Sequence, residues 1–119
     1  MTRRSSNPNF LNGVPELLIL TLLADSEMYG YELVQAIRER TAGVVAAGEG
    51  VVYPVLHALE AEGAVTSRRR VTGGRSRIYY SLTNAGRTRM GEMATSWMTL
   101  TEAVRSLVQG RRQDETAMG

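Results

Sequence analysis

The segment from Gly50 to Gly63 constrains the fold most, because helical spacing and helix boundaries coincide in it. Val52, Leu56 and Leu59 are four and three residues apart, which places them on one face of a helix. Pro54 lies near the start of the segment, and a proline is tolerated in the first turn because the amides there lack intrahelical partners. We therefore predict a short helix with an apolar back that packs against a core.

The other face of this helix carries two polar rings, Tyr53 and His57, which lie one turn apart. A helix with an apolar back and an almost uncharged polar front, followed directly by an arginine-rich hairpin, is typical of a recognition helix that enters a DNA groove. The alternative is that both rings are surface or half-buried residues with no role in DNA binding.

The basic residues are concentrated in one block. The net charge is only +2. Residues 63–89 nevertheless contain seven arginines and no acid, whereas residues 16–62 contain eight acids and two arginines. This imbalance predicts phosphate binding by the block. The alternative is a solvated hairpin without a partner.

Composition excludes several classes of function. The 119 residues are 43% hydrophobic, as expected for one small globular domain. Without cysteine, and with His57 as the single histidine, a zinc site is close to excluded, and we expect no metal or other cofactor. No nucleophile or acid–base constellation indicates an enzyme. The chain shows neither a signal peptide nor an apolar run that spans a bilayer, so we expect no membrane partner and a cytoplasmic location.

Before the recognition helix, the sequence predicts a disordered arm over residues 1–9 and an almost entirely apolar helix from about Pro15 to Asp25. A second helix is predicted over residues 29–40, with Leu33 and Ile37 on its inner face. Residues 41–48 are compatible with a loop or a short edge strand. The second helix, this connector and the recognition helix together have the order of a helix-turn-helix.

After Gly63 the apolar period changes to two. Residues 64–71 and 77–82 predict two strands joined by a glycine-containing turn over residues 72–76. Ile78 and Tyr80 lie on one side of the second strand and Arg77 and Tyr79 on the other, so we expect the arginines of both strands to crowd the solvent face. The hairpin is a wing beside the recognition helix.

A long last helix is predicted over residues 84–110, with Thr83 as its N-cap and Gly110 at its C-terminal end. Its apolar residues alternate in steps of three and four, as in a helix that pairs with another helix. They are Met90, Met93, Trp97, Leu100, Val104 and Leu107. We therefore predict a homodimer built on this helix. The fold is mainly α with a small β-hairpin wing, with a winged domain over residues 10–83 and a disordered tail over residues 111–119.

Three motifs resemble the PadR family of winged-helix transcriptional regulators, specifically its short branch with a single C-terminal helix. They are Tyr29-Gly30-Tyr31-Glu32-Leu33, the run from Tyr53 to Gly63, and the run from Arg77 to Gly86. The resemblance implies a dimeric DNA-binding protein, mostly a repressor, often released from DNA by a small molecule and often acting near genes for drug efflux or phenolic-acid detoxification. Two features depart from the family pattern. Val51 replaces a small hydroxyl residue, and residues 67–70 lack the family's tryptophan.

The expected contacts to a palindromic double-stranded operator come from the helix-turn-helix and the wing. They are Tyr31, Val51, Tyr53, Pro54, His57, Arg68, Arg69, Arg70, Gly73, Gly74, Arg75 and Arg77. A different class of function, a winged helix that docks RNA or protein without sensing a ligand, is the alternative.

Trp97 matches the tryptophan with which short PadR relatives hold flat drugs between two subunits. The resemblance therefore implies a planar aromatic effector bound by Leu17, Met90, Met93, Trp97 and Thr101. Thr101 stands where such a relative has an acid that helps to hold cationic drugs. The alternative is that the methionines and Trp97 form an ordinary packed dimer core.

Overall fold

The computed structural model describes the backbone of residues 6–118 and the side chains of residues 13–111. Within this part of the chain there are four helices and a three-stranded antiparallel sheet with the strand order β1-β3-β2. The elements are α1 (Ser6–Asp25), β1 (Met28–Tyr29), α2 (Gly30–Arg40), α3 (Glu49–Ala61), β2 (Val65–Thr72), β3 (Arg75–Leu82) and α4 (Asn84–Met118). The predicted fold class, mainly α with a wing and a long C-terminal helix, is confirmed.

Helix α1 begins earlier than the sequence indicated. It starts at Ser6, so Pro15 lies inside the helix and residues 6–9 of the predicted arm are helical. Residues 1–5 lie outside the described part. Proline removes one amide donor from a helix, and here burial of the following residues outweighs that loss. Ile19 and Leu20 are fully buried.

The core lies between the first three helices and the sheet. Leu33 and Ile37 of α2 are buried, as are Val52, Leu56 and Leu59 of α3. These five residues form the inner faces of α2 and α3 that helical spacing predicted. Their burial turns the opposite face of α3 away from the core.

The connector between α2 and α3 is a turn followed by a loop, which decides between the two alternatives for residues 41–48. Thr41 Oγ1 donates to the Ile37 carbonyl at 2.7 Å and accepts the Val45 amide at 3.0 Å. Helix α3 then begins at Glu49, so Pro54 is its sixth residue rather than part of the first turn. Because proline has no amide hydrogen, the carbonyl four residues earlier loses its helical donor.

The wing is a tight hairpin whose two strands pair from Val65↔Leu82 to Thr72↔Arg75. Gly73 and Gly74 have φ values of 58° and 79° and form its two-residue turn. Positive φ at both positions is the requirement of the hairpin turn that matches strand twist. Strand β3 begins two residues earlier than predicted, whereas β2 has the predicted length and is shifted by one residue. The short strand β1 was not predicted, and Tyr29 belongs to it rather than to the second helix. It pairs with β3 through Met28↔Tyr80 and Tyr29↔Tyr79.

Helix α4 starts where predicted and ends later. Thr83 Oγ1 accepts the Gly86 amide at 3.0 Å, which is an N-cap interaction. At the other end the helix continues through Gly110 to Met118, so Gly110 is not its terminus and residues 111–118 of the predicted tail are helical. Glycine inside a helix costs only about 1 kcal/mol relative to alanine, which good helix formers on both sides can offset. No helix within residues 6–118 is long and apolar enough to cross a membrane.

Candidate nucleic-acid interface

A cleft of about 650 Å³ separates the front of α3 from β3. It is lined by Tyr29, Tyr31, Tyr53, His57, Arg75, Ser76, Arg77, Ile78 and Tyr80, and we call it the Tyr–Arg cleft. The cleft unites two sets of predicted DNA contacts, the polar front of α3 and arginines of the wing. Aromatic hydroxyl groups and guanidinium groups both donate hydrogen bonds, so the walls suit an anionic ligand with many acceptors, such as a phosphate backbone.

The front of α3 presents its side chains as the spacing predicted. The ring centroids of Tyr53 and His57 are 6.2 Å apart, and His57 and Pro54 are exposed. Val51 is 43% exposed at the start of the same helix, and Tyr31 is 49% exposed on α2. These side chains can approach a groove without any rearrangement of the core.

Tyr80 has a different position from the other tyrosines of the cleft. Its side chain is only 4% exposed and packs in the core on the inner face of the wing. Burial raises the pKa of the Tyr80 hydroxyl above its ordinary value of 10. The hydroxyl therefore stays protonated at neutral pH and cannot add negative charge to the cleft.

The wing arginines do not form one uniform basic block. Arg68 and Arg70 both bind Glu27, which immediately precedes β1, and Ser81 completes this Glu27 cluster. The Arg68 Nη2 and Arg70 Nη1 atoms lie 2.6 and 2.7 Å from Glu27 Oε2, and Arg68 Nε lies 3.2 Å from Oε1. Hydrogen bonding from Arg68 lowers the pKa of Glu27, and the same bond raises the pKa of Arg68. The carboxylate is therefore charged at neutral pH and partly neutralises two of the predicted DNA contacts.

Tyr79 also differs from the prediction that its side of β3 faces solvent. It is only 8% exposed, because other side chains cover its ring. The Arg70 guanidinium lies 4.3 Å from the centre of that ring, and the Tyr29 ring meets it edge-on at 5.3 Å. Arg77 lies 4.6 Å above the Tyr29 ring. The outer face of the sheet is thus a layer of stacked aromatic rings and arginines.

The remaining arginines of the hairpin have no carboxylate partner within the described side chains. Arg69 Nη1 donates to Ser76 Oγ at 3.0 Å, and Arg75 is exposed next to the Gly73-Gly74 turn. Neither of them, nor Arg77, forms a salt bridge there. The tip of the wing and the edge of the Tyr–Arg cleft therefore hold its uncompensated positive charge.

A second ionic network, which sequence reasoning missed, joins α4 to the rest of the domain. Arg89 binds Glu16 of α1, with Nε and Nη2 each 2.8 Å from Oε2, and its Nη1 binds Glu62 at the end of α3. Partial burial opposes the charge, but bonds to Glu62 and the nearby Glu16 raise the pKa of Arg89 overall. Thr83 Oγ1 adds a bond to the Ala64 carbonyl at 2.9 Å. The base of α4 is therefore fixed to the end of α3.

The predicted dimer residues on α4 fall into two groups. Met90 and Met93 pack against the core of their own chain. Leu100, Val104 and Leu107 are 40%, 51% and 76% exposed. The apolar row therefore has partners within the chain at its start and an open face further along.

Trp97 lies between these groups and lines a groove of about 270 Å³. This Trp97 groove is lined by Gly13, Leu17, Glu92, Met93, Ser96, Trp97 and Leu100. Of the predicted ligand residues it unites Leu17, Met93 and Trp97. Met90 and Thr101 are not among its walls, and Thr101 Oγ1 instead donates to the Met98 carbonyl of its own helix at 3.2 Å.

A second apolar groove also borders Trp97, with a volume of about 520 Å³. Its walls are Val14, Pro15, Val44, Val45, Ala46, Ala47, Val51 and Trp97. The residues of the connector that line this groove were not predicted from the sequence. The apolar run over residues 44–47 is the sequence signal that could have indicated them.

Comparisons with known proteins agree with this architecture. Residues 19–92 match the model of the transcriptional regulator PadR-like family. A transcriptional regulator of Mycobacterium tuberculosis is 39% identical over 83 residues, which cover 70% of this chain and 75% of that protein. The crystal structure of a PadR-like transcriptional regulator from Bacillus cereus has 30% identity and a TM-score of 0.73, over 85% of this chain and 97% of the other. Bacillus subtilis PadR, crystallised in complex with operator DNA, has 28% identity and a TM-score of 0.63, over 68% of this chain and 46% of its own.

Proposed function

Because this chain belongs to the PadR-like family of transcriptional regulators, we propose that it is a homodimeric repressor that binds a palindromic DNA operator. The observation that carries the proposal is the Tyr–Arg cleft, in which the exposed front of α3 faces arginines of the wing. The solved complex of Bacillus subtilis PadR with operator DNA supports the same type of ligand. The chain is a regulator and not an enzyme, as its family indicates.

The two walls of the cleft have different roles in this proposal. The front of α3, with Tyr53 and His57, enters the major groove and contacts base edges. Arg69, Arg75 and Arg77 bind phosphates on the flanking backbone. This division follows a general rule that phosphate contacts position a protein on DNA and base contacts give it sequence specificity.

The dimer supplies the second half of the interface. The exposed row of Leu100, Val104 and Leu107 on α4 packs against the same row of a second chain. A twofold dimer presents two α3 helices about 34 Å apart, which is one turn of B-DNA, so the operator is a palindrome.

A flat apolar ligand bound in the Trp97 groove weakens DNA binding in this proposal. Aromatic drugs and phenolic compounds have the required flat shape, because flat aromatic rings stack favourably on an indole ring. A ligand releases DNA only if it prefers a dimer geometry whose α3 helices no longer match the operator. The ion pair between Arg89 and Glu62 connects the base of α4 to the end of α3 and offers a path for this coupling.

Footprinting on the DNA upstream of the protein's own gene tests the proposal. We expect one protected region with two inverted half-sites, and nanomolar binding against excess competitor DNA. Deletion of the gene should then raise transcription from that promoter. A protein that binds RNA or another protein but gives no footprint on any genomic fragment would contradict the proposal.

A further inference from the structure

We propose that Glu27 limits the sequence-independent DNA affinity of the wing by holding Arg68 and Arg70 away from phosphates. The inference rests on the DNA-binding function proposed above and assigns a regulatory residue to the same interface. Glu27 itself lies outside the Tyr–Arg cleft, on the outer face of the sheet.

The geometry of the Glu27 cluster carries the argument. Both carboxylate oxygens are occupied, because Oε2 accepts from Arg68 and Arg70 and Oε1 accepts from Arg68 and Ser81. The bond from Arg68 is the paired type, in which two parallel N–H groups meet one carboxylate. Nε and Nη2 of Arg68 and Nη1 of Arg70 are therefore directed at Glu27 and not at a phosphate.

Two further contacts hold the cluster in place. Glu27 is followed directly by β1, whose pairing Met28↔Tyr80 fixes the carboxylate beside the sheet. Arg70 is also stacked on Tyr79, with its guanidinium 4.3 Å from the ring centre. Release of either arginine toward DNA thus requires the loss of an ion pair, and release of Arg70 requires the loss of a stacking contact as well.

The consequence concerns the sequence-independent part of DNA affinity. Phosphate contacts contribute almost all of non-specific binding, whereas base contacts distinguish the operator. A wing that withholds two of its arginines lowers affinity for all DNA sequences by the same factor, so less of the protein is bound to DNA outside the operator at a given salt concentration. Arg69, Arg75 and Arg77 remain for positioning on the operator.

Salt-dependent binding to a labelled DNA duplex of random sequence tests the inference without knowledge of the operator. Each phosphate contact adds about 0.9 to the slope of log affinity against log salt. We expect Glu27→Gln to make this slope steeper by about 1 to 2 per subunit. Glu39→Gln removes the same charge from an exposed site on α2 and should leave the slope near that of the parent.

Two more variants test whether the steeper slope comes from Arg68 and Arg70. Adding Arg68→Gln and Arg70→Gln to the Glu27→Gln protein should abolish the increase in the salt slope. Glu27→Asp keeps the charge but is too short to hold both arginines, so its slope should lie between those of the parent and Glu27→Gln, and it serves as the test if the glutamine variant does not fold. Equal slopes for the parent and the folded Glu27 variants, or a flatter slope in either variant, would overturn the inference. Failure of the parent to bind any duplex would instead contradict the proposed function.

Discussion

The aromatic ring of Tyr53 lies directly against the backbone of Gly30. A Cβ atom at Gly30 would be 2.6 Å from Tyr53 Cε1, closer than real side chains approach one another. Gly30 is the first residue of α2, and Tyr53 projects from the front of α3. The absence of a side chain at Gly30 therefore determines where the hydroxyphenyl group of Tyr53 lies on α3.

Gly30→Ala should displace the Tyr53 ring and weaken both folding and DNA binding. Inserting a methyl group into a packed contact typically costs about 1 to 3 kcal/mol of unfolding free energy. Urea unfolding measures this loss. Gly91→Ala is the matched control, because a Cβ atom there would meet no atom within 4 Å apart from its chain neighbours and the adjacent backbone of its own helix. That variant should be neutral or stabilise α4 by up to about 1 kcal/mol. Equal stability of the two variants would contradict the close contact at Gly30.

Arg75→Gln should flatten the salt dependence of operator binding, because Arg75 is exposed at the wing tip and borders the Tyr–Arg cleft. Loss of one phosphate contact per subunit reduces the slope by about 0.9, or about 2 for a dimer. Fluorescence anisotropy with a labelled operator at several salt concentrations measures it. Arg105→Gln, an equal change of charge on an exposed part of α4, should leave the slope unaltered. If both variants behave alike, the wing tip does not contact the backbone.

The arginine block illustrates what the sequence can and cannot predict. Periodicity identified the buried faces of α2 and α3 and the two strands of the wing, because each depends on neighbours a few residues away. It did not predict the burial of Tyr79 on the outer face of the sheet. The partner of Arg68 lies 41 residues earlier, in a loop before a two-residue strand. A count of charges along the chain could not find that ion pair. The start of α1 and the end of α4 were missed for a related reason. Pro15 is a local signal for a helix start and Gly110 for a helix end, and both lie inside the helices.

Acid should release the Glu27 cluster. Bonding to Arg68 lowers the pKa of Glu27 below its ordinary value of 4.5. A carboxyl group of this kind stabilises the folded state above its unfolded pKa, and the contribution disappears as the pH falls through the lower folded pKa. The melting temperature of Glu27→Gln should therefore lie below that of the parent at pH 7 and approach it in acid. Circular dichroism across this pH range measures the difference, with Glu39→Gln as the reference. A difference that persists in strong acid would assign the effect to packing and not to charge.

Leu100→Glu combined with Val104→Glu should give monomers that no longer bind the operator. Both side chains belong to the exposed row on α4, and two carboxylates from each chain would meet at the proposed interface. Sedimentation velocity measures the change in mass. Thr99→Glu with Ser106→Glu adds the same charge on another face of α4 and should leave the dimer intact. An intact dimer in the first variant would place the interface elsewhere.

Trp97 is the only tryptophan of the chain, so its fluorescence reports directly on the Trp97 groove. Flat aromatic compounds that bind there should quench the emission saturably and lower operator affinity over the same concentration range. Met93 and Leu17 provide apolar walls beside the indole.

Trp97→Ala should weaken such binding by about 1 kcal/mol or more, because the stacked ring is lost. Calorimetry measures this in the variant, which no longer has the fluorescent residue. Met98→Ala removes an exposed side chain from a neighbouring position outside the groove walls and should keep the affinity of the parent. The packed-core alternative predicts the opposite pattern. In that case no compound quenches the parent, and Trp97→Ala lowers only the stability of the dimer. If Trp97 binds a ligand, Trp97→Ala lowers ligand affinity. If Trp97 only fills the dimer core, the same substitution increases dimer dissociation and changes no ligand affinity, because the indole contacts no ligand.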